Sequence, residues 1–287
     1  MSDLGIKQVA VAGAGTMGRG IAQATVLAGY KVRLYDVAAD VLDDALQQIG
    51  ASVAKGVSLG KVSEEQAGQV EKALTTTTEL AALAEADLII EAAPEAIEIK
   101  RELFEKLDGL AGEEAIFASN TSSLSINVLA DATQRDDRFL GLHFFNPAHI
   151  MKLVEVIAAD RTSAKVLDSA MAFVRSLGKE PVRCKDTPAF IVNRVARPFY
   201  GEAFRLLGED AAGVETIDEL MRSVGFRMGP FELVDLIGCD VNYAVTQSVY
   251  EAYFQDEKYR PHPIQRRMVE SGRLGRKRGR GFYDYDG

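Results

Sequence analysis

The chain has 287 residues, 47% hydrophobic and 26% charged, a composition typical of a globular protein of about two domains. Its formal net charge of −9 argues against binding to nucleic acid or to an acidic membrane, because phosphate groups would be repelled. No apolar run approaches the roughly 18 residues of a membrane span, and the amino terminus enters a strand pattern at once, so we expect a cytoplasmic protein without a signal peptide.

The first half of the chain alternates short apolar runs with amphipathic segments. The runs VAVAG, KVRLYD, DLIIEAA and AIFASN are typical of strands, whereas TMGRGIAQATVLAGY and AIEIKRELFEKLDGL carry apolar residues at helical spacing. This order predicts an α/β domain with a mostly parallel sheet covered by helices on both faces. Residues 40–75 contain two helical patterns joined by a Gly-containing turn, which predict a helical hairpin inserted between the second and third strands.

The second half begins with three more strand-like runs, RFLGLHFF, KLVEVI and PVRCKD, with a helix at about 162–177 between the last two. Beyond residue 186 the patterns are only helical, and Pro188 is suited to the first turn of a helix because it lacks an N–H group. We therefore predict an α/β domain over residues 1–186 and a smaller all-α domain over residues 187–287.

A glycine-rich motif follows the first predicted strand and opens the first predicted helix. Its members are Gly13, Ala14, Gly15, Thr16, Met17 and Gly18. With Asp36 at the end of the next strand, they form the fingerprint of a Rossmann-type dinucleotide-binding domain. Asp36 would accept hydrogen bonds from ribose hydroxyls and would repel a 2′-phosphate, which favours NAD over NADP as the cofactor.

Polar residues also follow other predicted strands, at the sheet edge where such domains bind ligands. Glu95 comes after IIEAAP, Lys100 lies one helical turn later, and Ser122 lies in SNTSS after AIFA. Each has a structural alternative: Glu95 as a partner of a helix dipole, Lys100 as a solvated side chain and Ser122 as a helix N-cap. Their convergence on one edge favours a functional site.

His143, His149 and Glu155 share a regular spacing in HFFNPAHIMKLVE. If GLHFF and KLVEVI are antiparallel neighbours, the turn lies near His149 and Glu155 lies opposite His143. A carboxylate beside an imidazole holds one tautomer and stabilises the charged ring, which suits a general base. His149 would lie at the loop tip and point away, so we predict a proton-transfer pair and no metal site.

Long segments of the chain resemble the L-3-hydroxyacyl-CoA dehydrogenase family, most closely its short bacterial 3-hydroxybutyryl-CoA dehydrogenases. They are GAGTMGRGIAQ, SNTSSLSI, GLHFFNPAHIMKLVEVI, KDTPAFIVNR, MGPFELVDLIG and GRGFYDY. The resemblance implies NAD-dependent, reversible oxidation of a (S)-3-hydroxyacyl-CoA to the 3-ketoacyl-CoA. It implies that His143 and Glu155 are the proton-relay pair and that Ser122 and Asn193 contact the substrate.

The resemblance also implies the remaining contacts. The cofactor contacts are Glu95 and Lys100 near the nicotinamide, Ser122, Asn146 and Lys277. The inserted hairpin would bind coenzyme A through Ser52 and Lys55, and the helical domain would close over the substrate and form a homodimer. Two other functions remain open: an NAD-binding structural or sensor protein without catalysis, and a β-hydroxyacid dehydrogenase acting on a free acid.

Overall fold

A computed structural model describes residues 5–285. Residues 1–4 of the predicted α/β domain and residues 286–287 of the predicted all-α domain lie outside the described part. The chain divides into two compact units, Met1–Thr187 and Pro188–Gly287. Among residues 5–285, none of the helices combines the length and the apolar character that crossing a membrane requires.

From residue 5 onward, the first unit contains eight strands: β1 Gln8–Ala12, β2 Lys31–Tyr35, β3 Leu74–Thr77, β4 Leu88–Glu91, β5 Ile116–Ser119, β6 Phe139–Phe144, β7 Leu153–Ala158 and β8 Glu180–Lys185. They form one sheet in the order β3-β2-β1-β4-β5-β6-β7-β8. Strands β4, β5 and β6 are buried along their whole length, as expected for strands covered on both faces. The predicted Rossmann-type, mostly parallel sheet is confirmed.

Chain direction reverses once among the paired strands of the described sheet. Strands β6 and β7 are antiparallel, and the other neighbouring pairs are parallel. The register of the antiparallel pair places His143 opposite Glu155. The predicted pairing of GLHFF with KLVEVI is therefore confirmed.

Within the described residues of this unit, six α-helices accompany the sheet: α1 Thr16–Leu27, α2 Ala39–Ser58, α3 Glu64–Ala73, α4 Ile97–Asp108, α5 Ile126–Ala130 and α6 Ala164–Ser176. Helices α2 and α3 form the predicted hairpin, and a capping box between Ser63 and Gln66 begins α3. The hairpin leads into β3, a short edge strand that the apolar pattern missed. Its sequence LTTT has one aliphatic residue, although its β-branched threonines favour a strand.

The second unit contains five helices in its described part: α7 Val192–Gly208, α8 Val214–Ser223, α9 Pro230–Ile237, α10 Cys239–Ala252 and α11 Pro263–Glu270. The prediction that Pro188 begins a helix is wrong. Ala189 and Phe190 have φ values of 65° and 51°, which interrupt a right-handed helix, so α7 starts only at Val192. The single helical pattern over FELVDLIGCDVNYAVTQSVYEAYF is two helices, because Gly238 has a φ of 103°.

Two buried carboxylates hold the carboxyl-terminal segment of the second unit. Asp235 accepts hydrogen bonds from the backbone N–H groups of Phe282 and Tyr283, at 3.0 and 2.9 Å, and from the Tyr285 hydroxyl at 3.1 Å. Asp218 accepts the Tyr283 hydroxyl at 2.9 Å. The motif GRGFYDY therefore has a structural role in this unit.

The basic segment RPHPIQRRMVESGRLGRKRGRG, near the end of the chain, contains helix α11. His262, which lies between two prolines, is the N-cap of this helix, and its Nδ1 accepts a hydrogen bond from the backbone N–H of Ile264 at 3.2 Å. This bond satisfies one of the amide groups that a helix start leaves without a partner.

We expect Phe104→Ala to destabilise the first unit by about 3–5 kcal/mol, because it removes a large buried side chain and leaves a cavity. Phe104 is fully buried in α4, and its ring centroid lies 5.7 Å from that of Phe117 and 4.7 Å from that of Phe139. Urea unfolding followed by circular dichroism measures the loss. Leu110→Ala, at a residue 44% exposed just beyond α4, is the control and should change stability far less; equal losses would contradict the assigned packing.

Candidate active site

The glycine-rich loop between β1 and α1 has the shape of a phosphate cradle. Gly13 has a φ of 108°, and a Cβ atom on it would lie 2.6 Å from the Ala92 carbonyl oxygen. A Cβ atom on Gly18 would lie 1.7 Å from the Gly13 oxygen, whereas one on Gly15 would have no heavy atom within 4 Å. The first and third glycines thus allow close packing of backbone, and the middle one faces open space.

The start of α1 offers backbone amide groups to an anion. In the described chain, Gly15 is the N-cap and makes no side-chain capping bond, and the first turn begins with Thr16 and Met17. Unpaired N–H groups and the positive end of the helix dipole favour negative charge at this point. The residues present therefore fit a dinucleotide pyrophosphate in front of Gly15.

Asp36 lies beside this loop, directly after β2. One carboxylate oxygen accepts the backbone N–H of Ala14 at 2.8 Å, and the other accepts that of Ala38 at 3.2 Å. A carboxylate has about four acceptor positions, so both oxygens retain capacity for ribose hydroxyls. These two bonds hold the side chain at the carboxyl edge of the sheet, where the cofactor was predicted.

The ends of β4 and β5 carry a continuous network of charged and hydroxyl groups. Lys100, 1% exposed, places its Nζ 2.5 Å from Glu91 Oε1 and 3.3 Å from Glu95 Oε2. Glu95 Oε1 in turn accepts the backbone N–H of Ser122 at 2.9 Å and its hydroxyl at 3.2 Å. The structure therefore brings Glu95, Lys100 and Ser122 together as predicted.

The structural alternatives for Lys100 and Ser122 are excluded by this geometry. Lys100 is buried and ion-paired, so it is not a solvated side chain. The N-cap of α5 is Ser125, whose side chain accepts the backbone N–H of Val128, and Ser122 lies before it. Glu95 lies before α4, and its carboxylate contacts Lys100 and Ser122.

Environment moves the pKa values of the two carboxyl groups in opposite directions. Burial raises the pKa of Glu91, although Lys100 and the hydrogen bonds from Ser119 and Ala93 act against that rise. Burial would also raise the pKa of Glu95, but the Lys100 charge and hydrogen bonds from Thr121 and Ser122 outweigh it and lower the pKa. The surroundings therefore favour the charged form of Glu95 more strongly than that of Glu91, whose charge is offset by its ion pair with Lys100.

His143 and Glu155 form a buried pair on β6 and β7. His143 is 6% exposed and Glu155 is fully buried, and His143 Nδ1 lies 2.6 Å from Glu155 Oε2. An ionised carboxylate can only accept, so Nδ1–H donates a hydrogen bond to Glu155 and the lone pair of the ring is on Nε2. The Phe145 ring, with its centroid 4.5 Å from that of His143, packs beside the imidazole.

The loop between β6 and β7 is held by a lysine that the sequence did not single out. Lys179, 7% exposed, donates from Nζ to the carbonyl oxygens of Ala148 at 2.6 Å and of Met151 at 2.7 Å. His149 lies in this loop and is exposed. Over residues 5–285, no group of three or more His, Cys, Asp or Glu residues is arranged to hold a metal ion.

A cavity of about 250 Å³ adjoins the phosphate loop. It is lined by residues of α1, of α2 and of the loop after β6, among them Thr16, Ser52, Asn146 and His149. Ser52 accepts a hydrogen bond from Gln23 Nε2 at 2.9 Å. The cavity thus joins predicted cofactor residues to one of the two predicted coenzyme A contacts, whereas Lys55, the other, is an exposed residue of α2.

Two predicted site residues belong to the second unit. Asn193 lies in the first turn of α7, and its carbonyl oxygen accepts a hydrogen bond from Arg197 Nε at 3.2 Å. Lys277 Nζ forms an ion pair with Asp240 at 2.6 Å. Both residues are thus held by contacts within the second unit.

Several residues that build the site were missed by sequence reasoning. Glu91 is a fully buried acid at the end of an apolar run. Asn120 Oδ1 accepts a hydrogen bond from the backbone N–H of Phe144 at 2.9 Å. A charge directly after LII and a polar run directly after IFA were the available signals. The two cysteines are not candidates for nucleophiles, since burial raises the pKa of Cys184 and of Cys239 to about 12.

We expect acid to remove a stabilising contribution of Glu95. Its pKa in the folded protein lies below the ordinary value of 4.5, so this contribution is present above that value and is lost as the pH falls through the folded pKa. Glu95→Gln should therefore show a smaller loss of unfolding free energy than wild type between about pH 6 and about pH 3, measured by urea unfolding. Glu98→Gln, on the exposed side of α4, is the matched control; identical slopes in Glu95→Gln and wild type would contradict the network.

Comparison with known proteins gives consistent matches over nearly the whole chain. The family model described as 3-hydroxyacyl-CoA dehydrogenase, NAD binding domain, matches residues 8–187, and the model of the C-terminal domain matches residues 190–285. An Escherichia coli protein named 3-hydroxyadipyl-CoA dehydrogenase is 46% identical over 98% of this chain, and the matched region is 60% of that protein's length.

Two further relatives match along most of their own length. A Bradyrhizobium diazoefficiens protein named 3-hydroxybutyryl-CoA dehydrogenase is 44% identical over 98% of this chain and 96% of its own. The crystal structure of (S)-3-hydroxybutyryl-CoA dehydrogenase from Ralstonia eutropha superposes with a TM-score of 0.93 at 40% identity, covering 98% of this chain and 100% of that one. The chain therefore belongs to the 3-hydroxyacyl-CoA dehydrogenase family of NAD-dependent oxidoreductases.

Proposed function

We propose that this protein catalyses the reversible, NAD-dependent oxidation of a (S)-3-hydroxyacyl-CoA to the 3-ketoacyl-CoA. The observation that carries the proposal is the buried pair of His143 and Glu155, with His143 Nδ1 2.6 Å from Glu155 Oε2. The pair lies at the carboxyl edge of the sheet, where the phosphate loop and Asp36 also lie. A non-catalytic dinucleotide sensor would have no need of an oriented base in that position.

His143 is the proposed general base and acid. Glu155 accepts the hydrogen bond from Nδ1–H, which leaves the lone pair on Nε2, and we propose that Nε2 faces the 3-hydroxyl group of the substrate. When Nε2 takes that proton, the ring becomes positive, and the buried Glu155 carboxylate offsets the new charge at short range. In the reverse direction the same imidazolium returns the proton to the 3-oxygen.

Residues of the first unit would hold the cofactor. The loop Gly13–Gly18 would bind the pyrophosphate, Asp36 the adenosine ribose, and Glu95, Lys100, Ser122 and Asn146 the nicotinamide end, with Lys277 of the second unit as a further contact. When bound, NAD supplies the acceptor for the hydride of C3. Asp36 disfavours a 2′-phosphate because its carboxylate would repel it.

Four residues besides His143 form the proposed substrate contacts. Ser122 would hold the 3-oxygen: its backbone N–H and its hydroxyl both donate to Glu95, and the longer hydroxyl bond of 3.2 Å is the easier one to exchange for a substrate oxygen. Asn193, from the second unit, would fix the same oxygen or the thioester. Ser52 and Lys55 on α2 would bind coenzyme A beside the cavity of about 250 Å³.

We propose 3-hydroxybutyryl-CoA as the substrate, because relatives at 40–44% identity over nearly their full length carry that name. The E. coli relative is named for the longer, dicarboxylic 3-hydroxyadipyl group. A series of kcat/KM values over straight-chain acyl-CoAs and the adipyl derivative decides between them. Turnover of free acetoacetate in place of its CoA ester would favour a β-hydroxyacid dehydrogenase.

We expect His143→Ala to lower kcat for reduction of acetoacetyl-CoA by about 10²- to 10⁴-fold, the usual contribution of a placed acid or base. NADH binding, followed by fluorescence titration, should be unchanged because His143 is not among the proposed cofactor contacts. The rate is read from NADH absorbance. Glu155→Gln should lower kcat severely without unfolding the chain.

His149→Ala is the control for this experiment, since it changes the exposed histidine of the same loop. It should leave kcat within about threefold of wild type, and a chelator should have no effect. Wild-type turnover by His143→Ala, or loss of turnover in His149→Ala, would overturn the assignment. No NADH oxidation by the wild-type protein would favour the non-catalytic alternative.

We further propose that the second unit forms a homodimer through apolar side chains that are exposed on the single chain. Leu220, Val224 and Phe226 are 59%, 69% and 50% exposed and lie within one short stretch. Phe226 stacks on Phe199 with the ring centroids 4.9 Å apart, which gives the surface a rigid aromatic element. Contiguous exposed apolar residues of this kind mark association surfaces.

We expect wild type to sediment at twice the chain mass of 31.2 kDa and Leu220→Glu to sediment nearer the single mass. The carboxylate would be left without water in an apolar interface, which weakens association. Analytical ultracentrifugation measures both. Leu59→Glu, at a residue 57% exposed in the first unit, is the control and should stay dimeric; a monomeric wild type would refute the homodimer.

A further inference from the structure

Glu91 is a fully buried carboxylate to which no role has been assigned. It is the last residue of β4, and the parallel register places it opposite Ser119, the last residue of β5. Three donors reach it: the backbone N–H of Ala93 at 2.6 Å, Lys100 Nζ at 2.5 Å and Ser119 Oγ at 2.5 Å. A buried charge is tolerated only when it is paired and hydrogen-bonded, and these three donors, one of them a cation, meet that condition.

These contacts tie together the two loops that leave β4 and β5. Ala93 lies in the first loop, and the carbonyl oxygen of its neighbour Ala92 lies against Gly13 of the phosphate loop. Ser119 Oγ also accepts the backbone N–H of Thr121 at 3.2 Å in the second loop. Glu91 therefore contacts the loop after β4, which packs against Gly13 of the phosphate loop, and the end of β5, from which the Ser122 loop starts.

Lys100 couples this buried carboxylate to a more exposed one. Its Nζ lies 2.5 Å from Glu91 and 3.3 Å from Glu95, whose side chain is 39% exposed. The short contact with buried Glu91 fixes the position of the Lys100 ammonium group. Glu95 is therefore held at a longer distance from Lys100. Glu95 can then keep its bonds to Thr121 Oγ1 at 2.6 Å and to Ser122 N at 2.9 Å.

We propose, on the basis of the function proposed above, that Glu91 is a positioning residue for the reaction: by anchoring Lys100 it keeps Glu95 on the Ser122 loop and so sets the place of the Ser122 hydroxyl. If the Glu91 charge is removed, Lys100 is a buried cation with one remaining carboxylate, Glu95. The ammonium group and Glu95 then approach each other, and Glu95 is drawn away from Thr121 and Ser122. The catalytic histidine pair is not touched by this change.

Glu91→Gln tests the proposal, because the amide keeps the size of the side chain and removes its charge. We expect kcat for acetoacetyl-CoA to fall on the order of 10- to 100-fold, as for a small misplacement of a reacting group. KM for acetoacetyl-CoA and Kd for NADH should change by less than about threefold, since binding of the ground state is retained. Glu98→Gln, the same change on the exposed face of α4, should leave kcat unaltered.

The coupling itself is tested by a double variant. If Glu91 acts through Lys100 on Glu95, then Glu91→Gln introduced into Glu95→Gln should change kcat by less than about twofold, whereas independent effects would multiply. Ser119→Ala, which removes one neutral donor to Glu91, is a milder variant that leaves every charge in place. It should lower kcat by about three- to tenfold and should also be non-additive with Glu95→Gln.

A readout without turnover separates this proposal from the reaction. In Glu91→Gln the Lys100 charge acts on Glu95 alone, so the pKa of Glu95 should fall further below its wild-type value, measured by carboxyl carbon NMR with Glu95→Gln for assignment. An unchanged Glu95 titration, a wild-type kcat in Glu91→Gln, or multiplying effects would each overturn the role of Glu91. Should Glu91→Gln fail to fold, Ser119→Ala with wild-type kcat is the refuting result. Failure of wild type to reduce acetoacetyl-CoA would refute the reaction, while the NMR titration would still decide on Glu91.

Discussion

The reversal of chain direction between β6 and β7 is the constraint on which the candidate chemistry depends. A parallel sheet brings the carboxyl ends of its strands to one edge, so His143, near the end of β6, lies at the ligand edge. In β7, Glu155 is the third residue of the strand and comes to the same edge only because β7 runs the other way. A further parallel strand would have carried a residue in that position to the opposite edge.

Of the charged side chains at this edge, some are buried and others are partly exposed to water. Glu91 and Lys100 are excluded from water and pair with each other, whereas Glu95 is partly exposed and lies between Lys100 and the Ser122 loop. A buried pair contributes little net stability, because desolvation offsets its attraction, but its geometry is well defined. This combination suits a position in which orientation matters more than stability.

Sequence reasoning predicted the parts of the structure that rest on periodicity or on a strict backbone requirement. The glycine loop, the parallel sheet, the hairpin and the register of His143 with Glu155 belong to this class, because a two-residue strand period and a shared turn determine which residues face each other. It failed where a local backbone choice decided the outcome. Ala189 and Phe190 have left-handed backbone conformations, so α7 begins later than predicted, and Gly238 divides a continuous helical pattern into two helices. The spacing of apolar residues contains no information about either feature.

The site shows the same division. Asp36, Glu95, Lys100 and Ser122 follow strand ends and could be placed on one edge from the sequence. Glu91 could not, because its partners are distant in the sequence: Lys100, 9 residues away, meets it only where the chain turns back into α4, and Ser119, 28 residues away, only through the pairing of β4 with β5. The resemblance to a known family supplied Asn193, Lys277 and the coenzyme A contacts, none of which follows from spacing.

Cofactor binding and the proposed proton transfer depend on different kinds of structure in this unit. The phosphate loop depends on backbone shape, since the space around Gly13 and Gly18 excludes any side chain. The proposed proton transfer would use two side chains on neighbouring strands, and both are buried. Neither arrangement extends along an acyl chain. Relatives named for butyryl and for adipyl substrates are accordingly similar to this chain at nearly the same identity, which directs the search for acyl-chain selectivity to the loops beyond the sheet and to the helical unit.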